Sequence, residues 1–483
     1  MKIKTVFKKL NEFRNRIFSY YGDNRKFANT ILIIAFLSFV FRIWYVASYG
    51  WHQPLNGDPF YYHWQGWMLA HGYGFSDPYI FFHNPLGGIE PAGAFFNLNT
   101  NHPIVPSAHH PPGYVVFIAA MNVVRLQTVG EQMLAQAFIG TADVFLVAYL
   151  AKSNFTKRVA IIAALFAAFY PGMWLYDQQL YSEQFSQFVV LIYLVSVYKL
   201  YKNPKTGTII FCGLATACAA LTRSELGLLL ISPAYIICIK QRKVPFKLIV
   251  KRVLIFAVFF LLLYAPWVTR NMLVFQYPET VASDLGATIQ SANCPPAYFS
   301  QDAAYENWTC VIGTPKGGDE STTDHLNLAK GIKFIENNKS RAVQIWFLHL
   351  GRVFYVFHPY QQAHSIQNFI DGWPLFASDL DWLLSYPMNL LAIVGIVLLK
   401  RKKLFQFPLI NVICTSLFAT FITFGDVRFV AVAQVAICII AAFAADAIIF
   451  GLWNKINRMF KSKSPQREPL STPESLNTAI VTD

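Results

Sequence analysis

Residues 29–49 read NTILIIAFLSFVFRIWYVASY, and residues 54–75 read PLNGDPFYYHWQGWMLAHGYGF. The first run is apolar almost throughout and long enough, as a helix rising 1.5 Å per residue, to cross the ~30 Å hydrocarbon core of a bilayer. It is too long for the apolar part of a signal peptide, and no small-residue cleavage site lies near its end. The second stretch is aromatic and must lie against the same bilayer, yet it carries one acid, Asp58. A carboxylate there is costly to desolvate unless it is solvated, paired or chemically employed.

Working outward, the same apolar pattern recurs. The chain has 483 residues, 55% of them hydrophobic, with a mean hydropathy of +0.37. Charged residues make up 14%, against roughly 25% in a soluble protein. The fold class expected is therefore an all-α polytopic membrane protein of about 10 transmembrane helices. The spans fall near 29–49, 132–151, 159–176, 184–200, 207–222, 225–240, 252–270, 384–399, 405–424 and 429–452. A net charge of +14 would suit nucleic acid, but the basic residues sit in short clusters between apolar runs, which excludes that class.

Those clusters set the topology. Lys152, Lys157 and Arg158, then Lys199, Lys202 and Lys205, then Lys240 to Arg252, then Lys400 to Lys403, mark cytoplasmic segments, whereas residues 50–112 contain no Lys or Arg. Both termini are then cytoplasmic in an integral, multi-pass protein of the plasma membrane. The organisation expected is a cytoplasmic amphipathic segment over 1–28 and a transmembrane catalytic module over 29–270, whose first outer loop is 50–131. An extracytoplasmic region over 271–383, C-terminal transmembrane helices over 384–452 and a cytoplasmic, partly disordered tail over 453–483 follow. HHPPGYVVFIAAMNVVRL, inside the first loop, is apolar but too short to span, so it predicts a juxtamembrane helix. Helical pieces are expected near 326–338 and 342–357 of the second outer region.

With this topology the unusual residues collect on the outer side: Asp58, Asp177, Glu183, Arg223 with Glu225, Arg270, Arg428 and all eleven histidines. Acids, arginines and aromatics beside a bilayer suit a lipid substrate with a phosphate head. Arginine presents a permanently charged planar fork to phosphate oxygens, and a carboxylate can take a proton from an attacking hydroxyl. Each residue also has an ordinary reading. Asp58 before Pro59 reads as a helix N-cap, Glu183 as an acid favoured at a helix N-terminus, and the arginines as snorkelling side chains. The histidines lack HxxxH or HxH spacing; His109 and His110, ahead of Pro-Pro-Gly, are the pair singled out as candidates. Cys294 and Cys310 share an outer loop, where a disulfide is open either way. One of the three glycosylation sequons, at Asn154, falls in a cytoplasmic loop, which weakens the set.

The order of NGDPFYYHWQGWMLAHGYGF, HHPPGYVVFIAA, AAFYPGMWLYDQQLYSEQ, GLATACAALTRSELGLLL, YAPWVTRNMLVF and FGDVRFVAVAQVAICIIAA resembles the GT-C glycosyltransferases that use polyprenyl-phosphate sugars. The likeness is to the branch of the protein mannosyltransferases and the lipid A aminoarabinose transferases, over roughly 29–300 and 384–450. It implies transfer of a sugar from a polyprenyl-phosphate donor to a glycan, lipid or protein acceptor on the extracytoplasmic face. Asp58 then matches the first-loop catalytic acid and Glu183 a second acidic position; Arg223 and Arg270 match family positions. Donor phosphate or substrate contacts are assigned to Arg270, Arg223, Arg428, His109, His110 and Tyr62. No cofactor is implied with certainty, and a divalent metal stays open. The sequence departs from the mannosyltransferases at Asp58-Pro59, where they carry two adjacent acids, and from the aminoarabinose enzymes at His110, where they carry another basic residue. A transporter or flippase of a lipid-linked sugar is the alternative. It calls for ionisable groups at mid-membrane and often an internal repeat, whereas here Asp143 and Asp446 are the clearest mid-span charges and polarity is lopsided toward one face.

Overall fold

The computed structural model describes residues 25–51, 53, 55–82, 103–240, 244–312 and 318–463. The amphipathic helix expected in 1–28 falls, as far as residue 24, outside the described residues, as does the tail from 464. Among the described residues the structure is all-helical, with a single isolated β-bridge between Ser76 and Pro106.

A helix occupies each of the ten expected spans. In chain order, α1 is Arg25–Tyr45, extended by one wider turn to Gly50. Two helices of the loop between the first two spans follow: α2, Asp58–Ala70, and α3, Pro112–Val123. Then come α4 (Val129–Asn154), α5 (Lys157–Phe169), α6 (Ser182–Lys202), α7 (Thr206–Thr222) and α8 (Phe246–Val274), with an irregular helix from Ser224 to Lys240 between the last two. The region after α8 contributes α9 (Leu285–Ala292), α10 (Glu320–Asn337) and α11 (Lys339–Val353). The chain ends with α12 (Leu375–Arg401), α13 (Phe407–Ile422) and α14 (Ala433–Lys463). Six of these helices are long and apolar enough to cross a membrane. The protein is integral to the membrane.

Local chemistry explains the boundaries. α4 opens with a capping box in which the Thr128 hydroxyl accepts from the Glu131 amide and the Glu131 carboxylate accepts from the Thr128 amide. Pro171 cannot continue α5, and the chain turns through 171–178 before α6 begins. The main core is built from alanine, valine, leucine and isoleucine of α1, α4, α5, α6 and α14; alanine-rich α5 lets its neighbours approach closely. α8 lies at the edge, packed mainly on α7, with most of its surface uncovered.

The first loop has its own core. Phe60, Tyr61, Tyr62 and Met68 of α2 pack on Tyr114, Val115 and Ile118 of α3 and on Met133 and Ala137 of α4. This fixes the aromatic stretch over the N-terminal ends of α4 and α6. Between α9 and α10, Cys294 and Cys310 are joined by a disulfide, beside Tyr298 and Ile345.

Candidate active site

Asp58 is not the cap of its helix. Gly57 takes the N-cap position at φ +54°, a left-handed conformation that glycine tolerates best, and Asp58 follows as the first helical residue with Pro59 next. Glycine has no side chain with which to cap the helix, and the Asp58 carboxylate makes its ion pairs with other segments of the chain. This corrects the capping expectation: entry through glycine shifts the helix start by one residue.

The carboxylate instead meets a guanidinium from the far end of the chain. Arg428 Nη2 donates to Asp58 Oδ2 at 2.7 Å, and Arg428 Nε donates to Glu183 Oε1 at 3.0 Å. Arg223 Nη1 donates to the same Glu183 oxygen at 2.9 Å, and its Nε to Glu225 Oε1 at 2.6 Å. His110 stands between two acids, with Nε2 3.3 Å from Asp58 Oδ1 and Nδ1 3.4 Å from Asp284 Oδ2. Tyr62 stacks on the His110 ring with centroids 4.7 Å apart, and Arg428 lies over the Tyr181 ring at 3.9 Å. Six separated parts of the sequence thus supply one chain of alternating charges.

Each side chain is placed by its element. Asp58 is at the start of α2, His110 just before α3, and Glu183 in the first turn of α6, where the helix dipole favours an acid. Arg223 and Arg428 sit in the short turns after α7 and after α13. Asp426 accepts from the Arg428 amide at 2.9 Å and so fixes the turn that carries the guanidinium. The network is graded in exposure: the Glu183 side chain is 0% exposed, whereas that of Asp58 is 32%. The buried end is structural support for the open end, where a ligand can reach.

Electrostatics follow from this layout. Burial by itself would raise Asp58, but the Arg428 charge and then His110 outweigh it and hold its carboxyl well below the usual range. Burial would lower His110; Asp58 and Asp284 overcome that and push the imidazole up to about 9, so it is a cation at neutral pH. His109 goes the other way, to about 4, through burial and the charge on His110. Deeper in, burial raises the carboxyls of Asp371 and Asp426 and takes Glu306 up to about 8.

The other candidates are placed differently. Arg270 gives its fork to backbone: Nη2 to Phe75 O at 2.9 Å and Nη1 to Ser107 O at 3.2 Å, with Asn271 Oδ1 at 2.9 Å. It clamps the first loop between its rings and carbonyls rather than joining the ion-pair chain. His109 packs on Tyr61 and on His110. Asp284, Asp371, Asp426, Glu306 and Tyr181 were not singled out by sequence, although Asp426 stands two residues from Arg428. Arg42 was also missed: it is fully buried in α1 and donates to Asp177 Oδ2 at 2.7 Å and to Met173 O at 2.7 Å, holding the 171–178 turn. As for a metal, no group of three or more His, Cys, Asp and Glu side chains among the described residues has an arrangement that could hold one.

The fold defines the class, an all-helical membrane protein. Residues 109–269 match the family model described as dolichyl-phosphate-mannose-protein mannosyltransferase, a stretch that includes His110, Glu183 and Arg223. The chain is similar in structure to the oligosaccharyltransferase of Archaeoglobus fulgidus tethered with an acceptor peptide containing the NVT sequon. Identity there is 14% and the TM-score 0.50, over 92% of this chain and 52% of that one. The oligosaccharyltransferase AglB of the same organism, in complex with an inhibitory peptide and a dolichol-phosphate, matches with the same figures. ArnT from Cupriavidus metallidurans bound to undecaprenyl phosphate matches at 13% identity and a TM-score of 0.37, over 91% of this chain and 82% of that one. The chain spans about half the length of the archaeal structures it matches. No curated protein matches its sequence.

Proposed function

We propose that this protein is a membrane glycosyltransferase that moves a sugar from a polyprenyl-phosphate donor to a hydroxyl of a glycan, lipid or protein. The observation that carries the reading is the Arg428 bridge between Asp58 and Glu183, open at the Asp58 end. The mannosyltransferase family match over the middle of the chain supports it.

The chemistry follows from the charges. A sugar held by a phosphate already has a competent leaving group, so no acid need protonate the departing oxygen. In the unliganded arrangement Asp58 is a weak base, because Arg428 and His110 stabilise its anion. An arriving phosphate competes for the same two cations. As they turn to its oxygens, the Asp58 carboxylate regains basicity next to the acceptor hydroxyl. The acceptor oxygen attacks the anomeric carbon while its proton passes to Asp58. The carbon–oxygen bond to phosphate breaks, its electron pair stays on the phosphate, and the configuration inverts. Tyr62 holds the His110 ring in place, and Glu183 with Arg223 holds Arg428. Arg270 acts by positioning the 75–108 loop.

The face of the membrane is part of the proposal. α6 begins at the network with Glu183 and carries Lys199 and Lys202 at its other end, and α4 and α12 likewise carry Lys152 and Lys400 in their last turns. By the positive-inside rule such ends favour the cytoplasm, which supports a site on the outer face and termini on the inner one. Purified protein incubated with a panel of radiolabelled polyprenyl-phosphate sugars tests the function. Release or transfer of the label from one donor is expected; no turnover of any donor would refute it.

A further inference from the structure

α11 is built inside out. Its face toward the protein carries His349 and Arg352, both 0% exposed, together with buried Ala342 and Ile345. His349 Nδ1 lies 3.3 Å from Phe421 O. Arg352 donates from Nε to Ala303 O at 2.8 Å and from Nη2 to Gln361 Oε1 at 2.9 Å. The opposite face carries Val343, Phe347 and half-buried Leu350, spaced four and three residues apart, so they form one stripe along the helix. Phe347 is 63% exposed and Val343 47%. A helix bathed in water turns the other way round, burying its phenylalanine and leaving its arginine to the solvent.

The neighbours of this stripe say what covers it. Trp346 and Phe347 pack on Phe421 of α13, with ring centroids 5.6 Å and 5.5 Å apart, and Phe418, one turn back along α13, is itself 50% exposed. Just past the end of α11, the Tyr386 hydroxyl of α12 donates to Tyr355 O at 2.7 Å, and one turn before Tyr386 Leu383 is 65% exposed. α12 is long and apolar enough to cross the membrane, and from Leu380 to Leu399 it exposes no charged side chain. That surface of α12 faces hydrocarbon, and the stripe on α11 continues it. α11 has 15 residues, about 22 Å of helix, which is too short to cross a bilayer. An exposed apolar face on a helix of that length fits one lying in the plane of the membrane surface.

We propose that α11 is an interfacial helix whose Val343, Phe347 and Leu350 dock into the acyl chains of the phospholipid leaflet at the candidate-site end of the bundle. The inference goes beyond the proposed reaction and does not depend on it. Its consequence for the site is positional. Arg352, on the face opposite the stripe, holds Ala303, and the next carbonyl, Ala304 O, accepts from the Gly425 amide at 3.1 Å, just ahead of the turn that carries Arg428. One helix thus stands between the lipid and the segment that supports the central cation of the site.

The test puts the photoreactive side chain p-benzoylphenylalanine in place of Phe347 in the full-length chain, one aromatic for another at an exposed position, and irradiates the membranes of the cells that express it. The same side chain in place of Leu262, exposed on spanning α8, gives the lipid reference, and in place of Glu336, exposed on α10, the solvent reference. The readout is the fraction of purified protein that gains the mass of a phospholipid. The yield at Phe347 is expected to approach that at Leu262 and to exceed that at Glu336 by about tenfold or more. A yield equal to that at Glu336 places the stripe in water and overturns the inference. A cross-link to a second copy of this chain, or to another polypeptide, in place of lipid also overturns it. Val343 is read in the same way if the first variant does not fold. Should neither fold, wild type labelled by an apolar diazirine dissolved in the membrane decides: carbene adducts on Val343, Phe347 or Leu350 support the inference, and their absence from these residues beside a labelled α8 overturns it.

Discussion

Replacing His110 by glutamine removes the cation that sits between Asp58 and Asp284, at 3.3 Å and 3.4 Å from them. The imidazole is pushed from 6.5 to about 9 by those acids, against the effect of its burial. A shift of that size corresponds to about 3 kcal/mol as an upper figure, because one pKa unit is about 1.4 kcal/mol and both partner carboxylates are about one-third exposed and screened. The sign follows from proton linkage. A folded-state pKa above the unfolded value means the folded protein binds the proton more tightly, so the contribution is fully present below pH 6.5 and is lost as pH rises through 9. The assay is the midpoint of thermal unfolding of detergent-solubilised protein, measured from pH 6 to pH 10. Wild type should lose stability across this window by a few degrees. His110→Gln should start lower at pH 6 and change less. Parallel curves for the two proteins would show that His110 carries no such charge, and the view of it as a phosphate-facing cation would fall with that result.

Three other substitutions have distinct outcomes. Arg428→Lys keeps a charge but loses the fork that spans Asp58 and Glu183, so donor affinity should fall about 10- to 100-fold, consistent with losing one charge-assisted hydrogen bond; unchanged affinity in a binding titration would count against it as the phosphate contact. Arg42→Met leaves Asp177 buried without its partner, for a loss on the order of 3–5 kcal/mol seen as a lower unfolding temperature, and Arg42→Met with Asp177→Leu should recover much of it. Recovery would fail if the pair were not the cause. Arg270→Ala should release residues 75–82 and 103–110, read as faster hydrogen exchange there, while ordinary exchange in that region would dismiss the clamp.

The spans and the helices over 58–70 and 112–123 were readable because they rest on local signals: long apolar runs, and shorter ones beside them. Asp58, Glu183, Arg223, Arg428 and His110 stood out for the same reason, as charges at the ends of apolar segments. Their pairing was not readable. Arg428 is 245 residues from Glu183 and 370 from Asp58, and no periodicity records which charge meets which across such distances. Arg42 was hidden by its setting, since a single arginine inside an apolar run does not disturb the reading of a span, and its partner lies 135 residues on. Arg270 looked like a phosphate ligand because sequence displays a charge but not the backbone carbonyls that engage it. The helix start at Gly57 was a matter of one backbone angle, below what residue preferences resolve.

The claim on which the account depends is that the carboxylate at position 58 takes a proton during transfer, and one substitution isolates it. Asp58→Asn keeps the size of the side chain and its place in the first turn of α2, but it cannot act as a base. With donor saturating and the unfolding temperature shown to be close to wild type, the rate of sugar transfer should fall by about 10²- to 10⁴-fold, the usual contribution of general-base catalysis. Transfer at a rate near that of the wild type would contradict the account.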